Sequence, residues 1–130
     1  MKFAIAVFGA PQSSQSCLSA LKFAQAVIKE GHVLYRVFFY HDAVSAGNLL
    51  SAPPQDEIDL TKEWIAFSEQ YNTELIVCIA SALRRGMLNQ EESDRYEKTV
   101  ANLSPQFTVS GLGQLIDAGI EADRLVSFRA

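Results

Sequence analysis

Three short apolar runs constrain this chain more than any other feature. Phe3 to Phe8, Val33 to Tyr40 and Leu75 to Ile79 are apolar at nearly every position, with Arg36 the only charge inside them. Each falls well short of the ~18 residues that a membrane span needs. Runs this short and continuous read as strands buried on both faces, which is the habit of parallel sheets. The segments between them carry a helical period instead. Cys17, Leu21, Ala24 and Ile28 recur at spacings of four, three and four within a helix predicted over Ser13 to Glu30. Ser13 or Ser14 is placed to cap its start and Gly31 to stop it. Leu60, Trp64, Phe67 and Tyr71 repeat the same spacing in a helix that Asp56 opens, after the looser stretch closed by Pro53-Pro54. Asp56, Glu57 and Asp59 suit the positive end of that helix.

The remaining sequence continues the alternation. Asn89 to Lys98 reads as a polar helix, Phe107 to Ser110 as a fourth strand, Gly111 to Ala122 as a helix and Arg124 to Phe128 as the last strand. Strands alternating with helices require crossover connections, so the expected fold is α/β. It is a three-layer sandwich with a mostly parallel sheet of about five strands and helices on both faces. Residues 1–130 make one domain, because no repeat or linker divides them. A chain that is 48% hydrophobic and 20% charged is not disordered. The net charge of −4 and pI near 5.1 speak against a nucleic-acid grip through a basic face. Two cysteines, with no C-x-x-C pair, form no disulfide framework, and a reduced, cytoplasmic protein is expected. Lys2 with Phe3 to Ala10 imitates a short signal peptide. Pro11, however, would follow the only plausible cleavage point, and removal would delete a core strand.

In open parallel sheets, ligands and reactive groups gather beyond the carboxyl ends of the strands. Three segments lie there: Gly9 to Gln15, His41-Asp42, and Cys78 to Gly86. Cys78 closes a buried run and is followed by Arg84 and Arg85. Guanidinium groups favour a thiolate, so Cys78 is a candidate nucleophile with the two arginines as its stabilisers. A small core hydrophobe is the other reading of the same residue. Cys17 shares its stripe with Leu21 and Ala24, so packing accounts for it. His41-Asp42 would suit a base and its orienting carboxylate, but neighbours on an extended chain point to opposite faces, which favours a solvated strand end. Cys17, His32, His41 and Cys78 have no metal-ligand spacing, and no metal is expected. Gly9 to Gln15 is a weak phosphate-loop candidate, with neither G-x-G-x-x-G nor the P-loop pattern.

These features together carry a resemblance. Met1 to Ile5, Phe23 to Ala26 with Gly31-His32, Val37 to Tyr40, and Pro53 before Asp56-Glu57 match the DsrE-like family of sulfur-relay subunits. So do Cys78 with Ala82-Leu-Arg-Arg-Gly86, Phe107 with Ser110-Gly-Leu-Gly113, and Asp123-Arg124. The chain resembles that family almost from end to end. The resemblance implies a sulfurtransferase without a cofactor, in which Cys78 accepts a sulfur atom as a persulfide and passes it on. It implies two related small subunits in a hetero-oligomer, and small donor and acceptor carrier proteins, without direct contact to nucleic acid or membrane. One branch of the family sends sulfur to the 2-thiouridine of tRNA wobble positions, and a close branch serves oxidation of stored sulfur. His41-Asp42 and Pro53 to Asp56 fit either. A non-catalytic interaction subunit and a flavin or nucleotide binder are the alternatives from other classes.

Overall fold

The computed structural model describes residues Met1–Ala130. Five strands form one sheet: β1 (Lys2–Val7), β2 (Val33–Phe39), β3 (Leu75–Cys78), β4 (Phe107–Ser110) and β5 (Arg124–Phe128). Their order is β4-β3-β2-β1-β5 and every neighbouring pair is parallel. The chain steps outward from β1 to β4, then returns to lay β5 against the free side of β1. That reversal puts crossover helices on both faces. α1 (Ser16–Lys29) and α2 (Leu60–Tyr71) cover one, α5 (Gly113–Glu121) the other, and α3 (Ile79–Arg84) and α4 (Gln90–Arg95) lie between β3 and β4. The expected α/β sandwich is the observed fold. No helix is long and apolar enough to cross a membrane.

The two layers are unequal. Ile5, Val7, Val37, Phe39, Leu75 and Val77 point toward α1 and α2, where they join Cys17, Leu21, Trp64 and Phe67 in the main core. The buried cluster on the opposite face of the sheet is smaller, Phe38, Ile76 and Cys78, with Tyr40 and Leu115 partly buried against them. Burial on both faces is why β1, β2 and β3 are apolar at successive positions rather than at alternate ones.

Where apolar packing is thin, polar contacts hold α5 down. Arg36 is only 6% exposed, and its Nη1 donates to the Gln114 carbonyl at 2.7 Å and to Asp117 Oδ2 at 2.9 Å. Its Nη2 pairs with Glu74 at 3.3 Å, and the Tyr35 hydroxyl donates to Asp117 at 2.7 Å. The hydrogen bond from Tyr35 and then that from Arg36 hold the Asp117 carboxyl below the usual carboxylate range. The opposite side of α5 leaves Ile116 and Ile120 exposed, in line with Leu112 just before the helix.

Several boundaries differ from expectation. α2 begins at Leu60, not at Asp56, because Asp59 is the acid whose side chain accepts the Lys62 N–H, at 3.2 Å. α1 begins at Ser16, where the Ser14 hydroxyl accepts the Ser16 N–H at 3.1 Å. Its end is as predicted: Gly31 takes φ +80° while His32 N–H reaches back to the Val27 carbonyl. Two short elements were not predicted, α3 and a 3₁₀ helix over His41–Gly47.

Candidate functional site

Cys78 is the last residue of β3, level with Ser110 on β4. The β2–β3 register pairs Phe39 with Val77, so Tyr40 stands one step beyond that rung, alongside Cys78. After Cys78 the chain turns straight into α3. Its side chain lies on the α5 side of the sheet against Phe38 and Ile76, and the residue is 3% exposed. It is thus packed, as a core cysteine would be, yet it also lines an open cavity of about 390 Å³. Tyr40, His41, Ser81, Arg84, Arg85 and Leu112 are among the other residues lining that cavity. The sheet order alone brings these together, because the loops after β2, β3 and β4 leave the same edge of neighbouring strands.

The two predicted arginines therefore do meet Cys78 at one cavity, but they are not equivalent. Arg85 Nε donates to Asp42 Oδ1 at 2.7 Å and Arg85 Nη1 to the Ser81 carbonyl at 3.2 Å. Its charge is balanced by that carboxylate. Arg84 has no ion-pair partner. Asp42 does not orient His41, as the backbone alternation implied, but it is not merely a solvated strand end either: it is the partner of Arg85.

His41 is exposed, as the solvated reading implied, but it is held in place. It sits in the left-handed region with φ 50°, and its backbone N–H donates to Ser81 Oγ at 3.1 Å. The ring lies edge-on to Tyr40, with centroids 4.3 Å apart, and edge-on to Phe8 at 5.8 Å. It lines the Cys78 cavity from the β2 side. Nothing local in the sequence signals this; the one available clue was that two adjacent strands end at His41 and Cys78.

The other candidates fall away from the cavity. Cys17 is fully buried in the main core, across the sheet from Cys78, and its thiol donates to the Gly9 carbonyl at 3.2 Å. Burial pushes that thiol up to about 12, so it is a packing residue as expected. His32 lies at the amino ends of the strands, with Nδ1 3.1 Å from the terminal amine. The Gly9 to Gln15 loop is closed on itself. Gly9 N–H donates to Ser16 Oγ at 3.0 Å, Ser14 Oγ bonds Ser16 Oγ, and a Cβ on Gly9 would meet Ser14 Oγ at 2.4 Å. Its donors are spent within the loop rather than aimed at a ligand. A second cavity of about 380 Å³, between Pro11-Gln12 and Ser51 to Thr61, is lined by neither cysteine nor histidine.

A profile of the DsrE/DsrF-like family matches residues 1–128. The chain belongs to the DsrE/DsrF-like family. It is 44% identical over 128 residues to the protein DsrE of Allochromatium vinosum, a match that covers 98% of each chain. It is 45% identical over 128 residues to the sulfurtransferase TusD of Salmonella typhi, across 98% of this chain and 100% of that one. The crystal structure of the ychN protein from E. coli superposes with a TM-score of 0.74. At 22% identity, over 98% of this chain and 99% of that one, the likeness is one of fold. The family recognised from Cys78, Arg84-Arg85-Gly86 and Ser110 to Gly113 is the family the profile identifies.

Proposed function

We propose that this chain is a sulfurtransferase subunit that carries sulfur as a persulfide on Cys78. The observation that carries the reading is the position of that thiol. Of the two cysteines it alone lines an open cavity, at the carboxyl end of a central strand, in a chain 44–45% identical along its length to DsrE and TusD. The Cys78 sulfur, as thiolate, attacks the outer sulfur of a donor protein's persulfide. The new S–S bond forms on Cys78 as the donor's S–S bond breaks, and the donor sulfur leaves with the electron pair. No electrons are gained or lost overall, so the step needs neither a redox cofactor nor a metal. Arg84, and less so the Asp42-paired Arg85, supply positive charge where anionic sulfur develops.

We place the whole chain in this role as one DsrE-like domain, working in the cytoplasm, where free thiols stay reduced. Its partners are two related small subunits and the small carrier proteins that deliver and collect sulfur. With a net charge of −4, tRNA binding is left to a later enzyme. The end product is the 2-thiouridine of tRNA wobble positions. Sulfur oxidation is the second reading, favoured by the nearly equal identity to DsrE.

Complementation distinguishes the two. In a bacterium lacking its own TusD-type subunit, this chain should restore 2-thiouridine, measured by mass spectrometry of digested tRNA, and Cys78→Ser should not. Failure of the wild-type chain, despite sulfur uptake on Cys78 in vitro, would move it to the oxidation branch.

A further inference from the structure

We infer that His41 is the proton-transfer residue of the Cys78 site, taking the thiol proton to leave the attacking thiolate and returning it to the departing donor sulfur. This rests on the sulfurtransferase reading above. The cavity lining makes the case by elimination. Tyr40, His41, Cys78, Ile79, Ala80, Ser81, Arg84, Arg85, Gly111 and Leu112 surround it, with no carboxylate among them. Imidazole is the side chain most often used to take and give a proton in general acid–base chemistry, and His41 is the one histidine in the lining.

The mounting of His41 points the same way. Two contacts tie the start of the 3₁₀ helix to α3, the helix that begins directly after Cys78. They are the His41 N–H to Ser81 Oγ bond at 3.1 Å and the Arg85–Asp42 pair at 2.7 Å. The ring of the exposed His41 lies edge-on to Tyr40 and Phe8, and the Arg129 guanidinium lies 4.3 Å from the Phe8 ring centroid. A histidine held at φ 50° occupies a disfavoured region, and such residues persist where the surroundings over-determine them. The charged and titratable groups of the cavity and its rim are thus Arg84 and Arg85 from α3, Asp42 from the segment of His41, Arg129 over Phe8, Tyr40 and Cys78. Asp42 is engaged by Arg85 and forms no bond to the imidazole, which shares its cavity with the thiol.

The step balances. The Sγ–H proton moves to the imidazole, and the thiolate so formed bonds the donor's outer sulfur. The donor S–S bond breaks, and the donor thiolate takes the proton from the imidazolium. Protons and electrons end where they began in number, with one sulfur moved.

The test is His41→Asn, chosen because asparagine tolerates the left-handed backbone. Alkylation of Cys78 by limiting iodoacetamide is followed against pH by peptide mass spectrometry. Single-turnover sulfur uptake from a persulfidated donor protein is followed by intact mass. The wild type should show a limb of alkylation rate in the neutral range that the variant lacks. Sulfur uptake at pH 7 should fall about 100-fold, as for loss of a general acid–base, and added imidazole should restore part of it. Superimposable pH profiles for the two proteins would overturn the inference. Should the variant not fold, the His41 ring is titrated by NMR in wild type and in Cys78→Ser; identical titration curves would overturn it equally. A wild type that takes up no sulfur, yet loses its neutral limb in His41→Asn, would sink the sulfurtransferase reading while upholding the pair.

Discussion

Ser81→Ala is the most informative single perturbation of this site. Ser81 is 3% exposed, and its hydroxyl accepts the His41 N–H at 3.1 Å. A left-handed conformation costs a non-glycine residue about 1–2 kcal/mol. The hydrogen bond from Ser81 offsets about 1 kcal/mol of this. Ring contact with Tyr40, of similar size, and the half-exposed Asp42–Arg85 pair, worth at most about 1 kcal/mol, supply the rest. Removing the Ser81 hydroxyl therefore tips a near-balance: about 1 kcal/mol lowers the ratio of held to released His41 about fivefold, so from a near-even start the held share falls about threefold. Single-turnover sulfur uptake at pH 7 should slow by that factor, while the melting temperature drops by about 4 °C. The decisive comparison is the double-mutant cycle. In a His41→Asn background, Ser81→Ala should slow uptake little further, because the group it positions is already gone. If Ser81→Ala slows both backgrounds equally, Ser81 acts on the thiol directly and the positioning argument is wrong.

Three further outcomes are expected. Arg84→Gln should slow Cys78 alkylation near neutral pH more than Arg85→Gln does, because Asp42 already balances Arg85; equal effects would show that the ion pair is irrelevant to the cavity. The Asp117 carboxyl is held below its usual range, so its stabilisation is present above the unfolded value of about 3.9 and is lost as pH falls through the folded one. Urea midpoints should therefore drop below about pH 4 more steeply in the wild type than in Asp117→Asn, and parallel curves would contradict this. Ile116→Asp with Ile120→Asp should leave the isolated chain's melting temperature within about 1 °C, since both residues are exposed, but should prevent assembly with the related subunits by light scattering. Undiminished assembly would place the interface elsewhere.

The fold was legible because β1, β2 and β3 are buried on both faces, which turns them into continuous apolar runs that no surface element imitates. Arg36 was visible only as an interruption. Its purpose depends on Glu74 and Asp117, partners brought to it by β-strand pairing and by the return of α5, and no local pattern encodes either. The start of α2 was misplaced because Asp56 and Asp59 are chemically interchangeable as caps; only the backbone decides which one receives the Lys62 N–H. Within the site, Cys78, Arg84 and Arg85 could be read from one stretch of sequence since a single strand–helix junction carries them. His41 could be read only as a base candidate at a strand end. Its place in the Cys78 cavity depends on the pairing of β2 with β3, on a positive φ, and on a hydrogen bond to Ser81 forty residues later. Burial of the thiol, at 3% exposed, agrees with the core-hydrophobe reading of Cys78; what no local pattern encodes is that Tyr40 and Leu112 line a cavity with it.

The central claim, that Cys78 carries the sulfur, is tested most directly by intact-mass spectrometry after incubation with cysteine, a cysteine desulfurase and the upstream donor protein. Wild type should gain one reducible sulfur atom, and Cys17→Ser should gain it as well, because burial holds the Cys17 thiol near 12 and packs it across the sheet from the cavity. Cys78→Ser should gain none. A Cys78→Ser protein that accepts and passes sulfur at the wild-type rate would contradict the account.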